Sequence, residues 1–189
     1  MEFIQNNWGW ILLGFVIITI VLMYNSLIAR KNMVENMFGS IDALLKQRYD
    51  MIPNLVASVR EYMKHEREVL EEITKLRSAA INAKSDDEKI DIENRFESLL
   101  SKLMVNIENY PQLKANENFL KLQEALKDIE DRISAARRAY NQAVTDYNNA
   151  VEMFPANLIA KAFNFKRKKV FEIPESEREN VNVGDLFRK

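Results

Sequence analysis

No cysteine occurs among the 189 residues. Its absence excludes disulfide staples, a thiol nucleophile, thiolate zinc sites and an N-terminal lipidated cysteine, and it leaves the redox compartment open. Glu2 excludes N-terminal myristoylation, which requires glycine at that position. Glycine and proline are scarce, four of each, which suits long unbroken helices and poorly suits a turn-rich β protein. Histidine occurs once, at His65. A carboxylate-bridged di-iron bundle needs a Glu-x-x-His pair from each of two helices, but Tyr62 stands three residues before His65. A helical zinc-protease motif would need a second histidine where the chain has Val69. With neither a glycine-rich phosphate loop nor a Ser/His/Asp set, no enzyme, no cofactor and no metal are expected, and His65 with Glu66 reads as a polar interruption of a helix face. The net charge of −1 supplies no global field for nucleic acid.

What is present begins with an uncharged run, WGWILLGFVIITIVLMYNSLIA, from Trp8 to Ala29. As a helix at ~1.5 Å per residue it spans about 33 Å, enough to cross a hydrocarbon core of roughly 30 Å. Trp8 and Trp10 at one end and Tyr24 at the other are placed as interfacial aromatics, and Arg30 and Lys31 follow at once. The alternatives are a cleaved signal peptide and a buried core helix. A signal peptide wants a basic segment before its apolar stretch, whereas only Glu2 is charged upstream, and no small-x-small cleavage site follows. A retained single-pass membrane anchor is therefore expected. Positive charge directly after the span puts residues 1–7 outside as a short N-terminus, 8–29 in the bilayer and the rest in the cytoplasm.

Beyond the span the apolar periodicity is helical. Phe119, Leu122, Leu126, Ile129, Ile133, Ala136, Tyr140, Ala143, Tyr147, Ala150 and Phe154 recur at steps of 3 and 4, an a/d seam held over five heptads. Asn116 is its candidate cap, with Glu117 in the first turn, and Pro155 marks its end. A shorter helix carries Ile92, Phe96, Leu99, Leu103 and Ile107 on one face; SDDE from Ser85 opens it as a capping box and the Asn109–Pro111 stretch closes it. Ahead of both, the spacing of Ile41, Leu45, Ile52, Leu55, Val59 and Tyr62 keeps its phase across Pro53. That continuity predicts a helix kinked at Pro53, not a turn, running from the membrane through Lys84. The expected fold is all-α: one transmembrane helix, then an antiparallel bundle of three long helices with a short fourth near Ala156–Phe163.

Such a first helix is far longer than the second, so residues 30–50 would form a membrane-proximal stalk whose apolar side chains Val34, Met37, Ile41 and Leu44 need a cover. Another copy of the chain is one cover and a tail folded back is the other. Arg48 stands where the stripe wants an apolar residue, and its partner has to come from another helix or another chain. Tyr140-Asn141 and Tyr147-Asn148 repeat at one heptad, read as core tyrosines whose hydroxyls reach the bundle edge or a neighbouring amide, or as a polar ladder fixing register. The tail, residues 166–189, opens on Lys166, Arg167, Lys168 and Lys169 between aromatics, a patch for a partner or an anionic lipid surface and a weak one for nucleic acid. With a first helix that never reverses, that patch lies away from the chain's own membrane unless the tail returns. EIPESEREN after it reads as a charged extension.

RYDMIPNLVASVREYMKHE (48–66), YPQLKANENFLKLQEAL (110–126), RRAYNQAVTDYN (137–148) and the Phe154–Leu158 stretch together resemble the LemA family, bacterial membrane-anchored helical bundles. The resemblance covers residues 8 to 165; the ending NVNVGDLFRK departs from it. It implies a bromodomain-like up-and-down bundle over residues 30–165, no agreed reaction, and links to membrane organisation, including magnetosome membranes, and to membrane proteases. Stripe and resemblance together predict a non-enzymatic scaffold in the membrane that forms a homo-oligomer through its long helices and organises membrane or membrane proteins. The alternative is a monomeric anchored adaptor presenting its bundle to a partner membrane protein such as a protease.

Overall fold

The computed structural model describes residues 2–172, and every regular element among them is helical. In chain order these are α1 (Glu2–Arg60), a 3-10 turn (Lys64–Glu66), α2 (Arg67–Ile81), α3 (Asp86–Ile107), α4 (Pro111–Lys114), α5 (Glu117–Glu152) and α6 (Ala156–Ala162). The charged extension after Glu172 and the closing NVNVGDLFRK lie outside the described residues.

Pro53 sits inside α1, which runs through it to Arg60. A proline has no amide hydrogen, so the carbonyl of Tyr49, four residues back, loses its intrahelical donor. Arg77 of α2 replaces it: its Nε donates to the Tyr49 carbonyl at 2.7 Å. The helix thus tolerates proline because a second helix satisfies the freed oxygen. Replacing Arg77 by methionine should cost about 1–3 kcal/mol, the range for a stranded buried acceptor. In a Pro53→Ala background, where an amide is restored, the same change should cost less by urea unfolding; equal losses in both backgrounds would show that the two residues are not coupled.

The expected extension of the first helix through Lys84 is overturned. α1 stops at Arg60, and the Met63 amide closes the turn by donating to the Val59 carbonyl at 2.9 Å. After residues 61–66 the chain runs back, since Arg77 meets Tyr49, 28 residues earlier. No glycine or proline marks the place. The signal is the run of five titratable residues from Lys64 to Glu68, which offers no apolar side chain to a continuing stripe, together with Met63, buried at the corner.

Other ends follow local rules. At α3 the Ser85 hydroxyl accepts from the Glu88 amide at 3.2 Å, while the Glu88 carboxylate accepts from the Lys84 amide at 2.9 Å. A Ser85→Ala variant should lose about 1 kcal/mol in thermal or urea unfolding, the usual worth of such a cap; no loss would mean that the carboxylate alone holds this end. At α5 the Asn116 side chain accepts from the Asn118 and Phe119 amides at 3.0 and 3.2 Å.

The heptad reading of α5 needs a correction. Its deepest side chains include Phe119, Leu126, Ile129 and Ile133, as expected, but then Arg137, Tyr140, Val144 and Tyr147, while Ala136 and Ala143 are only half-buried and Phe154 beyond the helix is exposed. Phe119, Leu126, Ile133, Tyr140 and Tyr147 keep the seven-residue repeat; what moves is the second buried position, which steps one residue onward after Ile133, to Arg137 and Val144 in place of Ala136 and Ala143, so the buried face turns by about one residue there and the repeat itself is kept. The α3 face shifts similarly, with Ile90, Phe96, Leu100 and Leu103 deepest and Ile92 and Leu99 half-buried.

The described residues fall into two compact units. One comprises α1 up to Ile41 with residues 136–169. Its packing includes Leu27, Ile159 and Ala160 with Met23, Tyr24 and Phe165 around them, and Phe38 against the Tyr140 ring at 5.8 Å. The other comprises residues 42–135 with residues 170–172. There α2 packs on α3, and Tyr49 meets the Phe96 ring edge-on at 5.7 Å.

Candidate functional site

In the second unit one guanidinium gathers three carboxylates. Arg48 of α1 is fully buried, and its Nη1 donates to Glu97 at 2.9 Å and to both oxygens of Glu130 at 2.7 and 3.0 Å. Its Nη2 donates to Glu93, whose side chain is equally inaccessible. Glu93 and Glu97 lie one turn apart on α3 and therefore share a face, while Glu130 comes from α5. The guanidinium also sits 4.8 Å from the centre of the Phe96 ring. Burial by itself would lower the Arg48 pKa, but the charges of Glu93, Glu130 and Glu97 outweigh it and hold the group above its ordinary value. The residue that broke the apolar stripe thus finds its partners on other helices of its own chain. This arrangement grips a cation that the protein supplies itself and ties three helices together. Among the described residues no group of His, Asp and Glu is placed to hold a metal ion.

In the first unit the repeated tyrosines and one asparagine bind the returning chain. The hydroxyls of Tyr140 and Tyr147 donate to the Lys169 and Lys166 carbonyls, each at 2.9 Å. Asn148 grips Lys168 from both sides, its Nδ2 donating to the Lys168 carbonyl and its Oδ1 accepting from the Lys168 amide, both at 2.9 Å. Burial, then the nearby charge of Glu35, raises the Tyr147 pKa, so its hydroxyl keeps the proton it donates. The hydroxyls therefore reach neighbouring amide groups, as one reading of the pair expected, but these belong to the tail. Lys166, Arg167 and Lys169 project into solvent from this strap and Lys168 is half-buried. Arg167 pairs with Glu152 at 2.8 Å on the surface.

The placement of that patch differs from expectation. It shares a unit with the anchor end of α1, where Arg30 donates to the Asp146 carbonyl at 3.5 Å. The reversal at residues 61–66 was not expected, and a chain with one more turn brings α5 back alongside α1. The stalk argument changes with it. Val34 and Ile41 are buried within this one chain, and Met37 and Leu44 are half-buried, so the stripe is covered without a second copy. Val34 and Ile41 share their unit with residues 136–169, so the end of α5 is there as well as the fourth helix and the tail that were expected to fold back.

The anchor residues lie on the remaining stretch. α1 contains a segment long and apolar enough to cross a membrane, and almost none of it is buried. A core helix would be covered; here Trp8 is 66% and Trp10 74% exposed. Tyr24 meets the Phe163 ring at a tilt and the Phe165 ring edge-on, with centroids 4.8 and 5.9 Å apart, and Lys31 lies 3.6 Å from Glu35 on the surface.

Comparison with known proteins fits this architecture. The model of the LemA family matches residues 37–184. Protein LemA of Metamycoplasma hominis is 28% identical over 180 residues, covering 91% of this chain and 82% of that protein. Magnetosome protein MamQ 2 of Paramagnetospirillum magneticum is 29% identical over 94 residues, and Magnetosome protein MamQ of Magnetospirillum gryphiswaldense 27% over 94. Each of these two matches covers 50% of this chain and 35% of the magnetosome protein. Matched over most of its length by the family model and over nearly all of it by a relative of the same description, the chain belongs to the LemA family.

Proposed function

We propose that this protein is a non-enzymatic, membrane-anchored adaptor: α1 crosses the bilayer near its start, and the helices that follow form an up-and-down bundle presented to a partner membrane protein. The observation that carries the reading is the exposed apolar stretch of α1, continuous as helix with the residues that pack the body. Arg30 and Lys31 after the span, with only Glu2 before it, favour a bundle on the cytoplasmic side. Three carboxylates, one of them fully buried, grip Arg48, which suits a structural lock and leaves the interaction surface outside the core.

Assembly into a homo-oligomeric scaffold is the second reading. It draws support from relatives described as magnetosome proteins. The burial of Val34 and Ile41 within one chain removes the stalk stripe as its reason and favours the adaptor. Mass measurement of the detergent-extracted protein separates the two. A monomer that co-purifies with one membrane protein is expected, and a discrete large homo-oligomer would replace the adaptor by the scaffold.

A further inference from the structure

The segment from Met153 to Phe165 contains one charged residue, Lys161, in thirteen positions. α6, at its centre, packs along α1 inside the uncharged run: Leu27 is buried with Ile159 and Ala160, and Phe15, Thr19 and Met23 share a groove with Pro155, Leu158 and Phe163. These contacts leave much of the segment's apolar surface open. Met153, Phe154, Leu158 and Phe163 are 58–79% exposed, four large apolar side chains within eleven residues. Scattered apolar residues on a surface are ordinary, but four within eleven residues, on a segment packed against a membrane span, make a surface for lipid.

We infer that α6 and the turn before it lie within the leaflet reached by the Arg30 end of the span, so that acyl chains cover Phe154 and Leu158 and the protein enters the bilayer with two elements. The inference rests on α1 spanning the membrane.

Backbone chemistry agrees with immersion, because groups in lipid have to find partners inside the protein. The chain leaves α6 through Asn164, whose φ of 57° is the left-handed conformation that asparagine tolerates. The Phe165 amide donates to the Ala160 carbonyl at 2.9 Å and the Asn164 amide to the Lys161 carbonyl at 3.3 Å, so the last turn closes on itself. At the entry the Asn157 amide donates to the Met153 carbonyl at 2.9 Å, and Pro155 has no amide to satisfy. Lys161 has a stem long enough to carry its ammonium to the headgroups. Glu152, the acid at the entry, is paired with Arg167. A second protein copy covering the same face is the competing occupant. The placement beside Phe15 and Met23, well inside the uncharged run, favours lipid.

The absence of native cysteine allows single nitroxide labels without background. Full-length Leu158→Cys and Phe154→Cys variants are reconstituted in phosphatidylcholine–phosphatidylglycerol vesicles, and collision with oxygen, which concentrates in lipid, is compared with collision with a water-soluble nickel chelate. Val16→Cys on the span and Thr145→Cys on the exposed side of α5 are references. The expected result is a several-fold higher oxygen-to-nickel ratio at 154 and 158 than at 145, matching 16. Labels at 154 and 158 that behave like 145 while 16 stays in lipid overturn the inference and leave the anchor standing. Labels shielded from both reagents point to a covering protein and also overturn it. A water-exposed label at 16 removes the anchor and this inference with it.

Discussion

Replacing Arg48 by methionine should lower unfolding stability by about 3–5 kcal/mol, the cost of removing one partner from a buried ion pair. Methionine is long and unbranched enough to fill most of the space, so a cavity is not the main term. The loss comes from carboxylates left behind: the Glu93 side chain is wholly inaccessible, and those of Glu97 and Glu130 are 17% and 26% exposed. Glu93→Gln placed on top of Arg48→Met should recover part of the loss, since it removes the charge that has no water to turn to. Arg48→Lys should fall between, because an ammonium keeps the charge but lacks the fork that reaches carboxylates on two other helices.

The pH dependence has a defined sign. A folded-state pKa raised above the unfolded one adds stability below the unfolded value and loses it as the pH climbs through the folded value. For Arg48 both lie far on the alkaline side, so the arginine contributes no pH dependence near neutrality. In the methionine variant the abandoned carboxylates take up protons as the pH falls, and its deficit against the parent should shrink toward acid. Urea titrations at neutral and mildly acid pH measure this. A deficit under ~1 kcal/mol at neutral pH, the range of exposed pairs, would mean that the cluster is solvated and not a lock.

The second large effect concerns the strap. Asn148→Leu removes both hydrogen bonds to Lys168 and strands its amide and carbonyl, at about 1–3 kcal/mol for each group that stays dry. Lys168 is half-buried, so water meets part of that demand and the local loss should be about 1–2 kcal/mol. That corresponds to an open strap populated about 5–30 times more often. Trypsin cleavage after Arg167 or Lys168 should accelerate by that factor if opening is fast relative to cutting. Asn148→Asp keeps the acceptor and loses the donor, and should lie between. An unchanged cleavage rate would show that Asn148 does not hold the strap.

How much of this was legible varies with the range of the interaction. The ends of α3 and α5 were readable because Ser85 with Glu88, and Asn116 with the next amides, act within four residues. The turn at residues 61–66 was not, because it carries neither glycine nor proline and the stripe before it, continued at Val69 and Leu70, mimics one helix. That single miss displaced the basic patch and left Val34 and Ile41 without a visible cover. Arg48 was legible as an anomaly, but Glu93 gave only a faint sign, a carboxylate beside the apolar face of α3.

The sequence by itself determined that this chain is helical, that it carries one segment able to cross a membrane, and that it belongs with the LemA proteins. Those properties depend on composition and on neighbours a turn apart. Only the tertiary structure decided that Arg77 repairs the gap at Pro53, that Arg48 collects carboxylates 45, 49 and 82 residues away, and that α6 lies against the span. Such contacts form between side chains far apart in the chain, and which of them meet is set by where the chain reverses, so a stripe can announce that a face will be buried without naming what buries it.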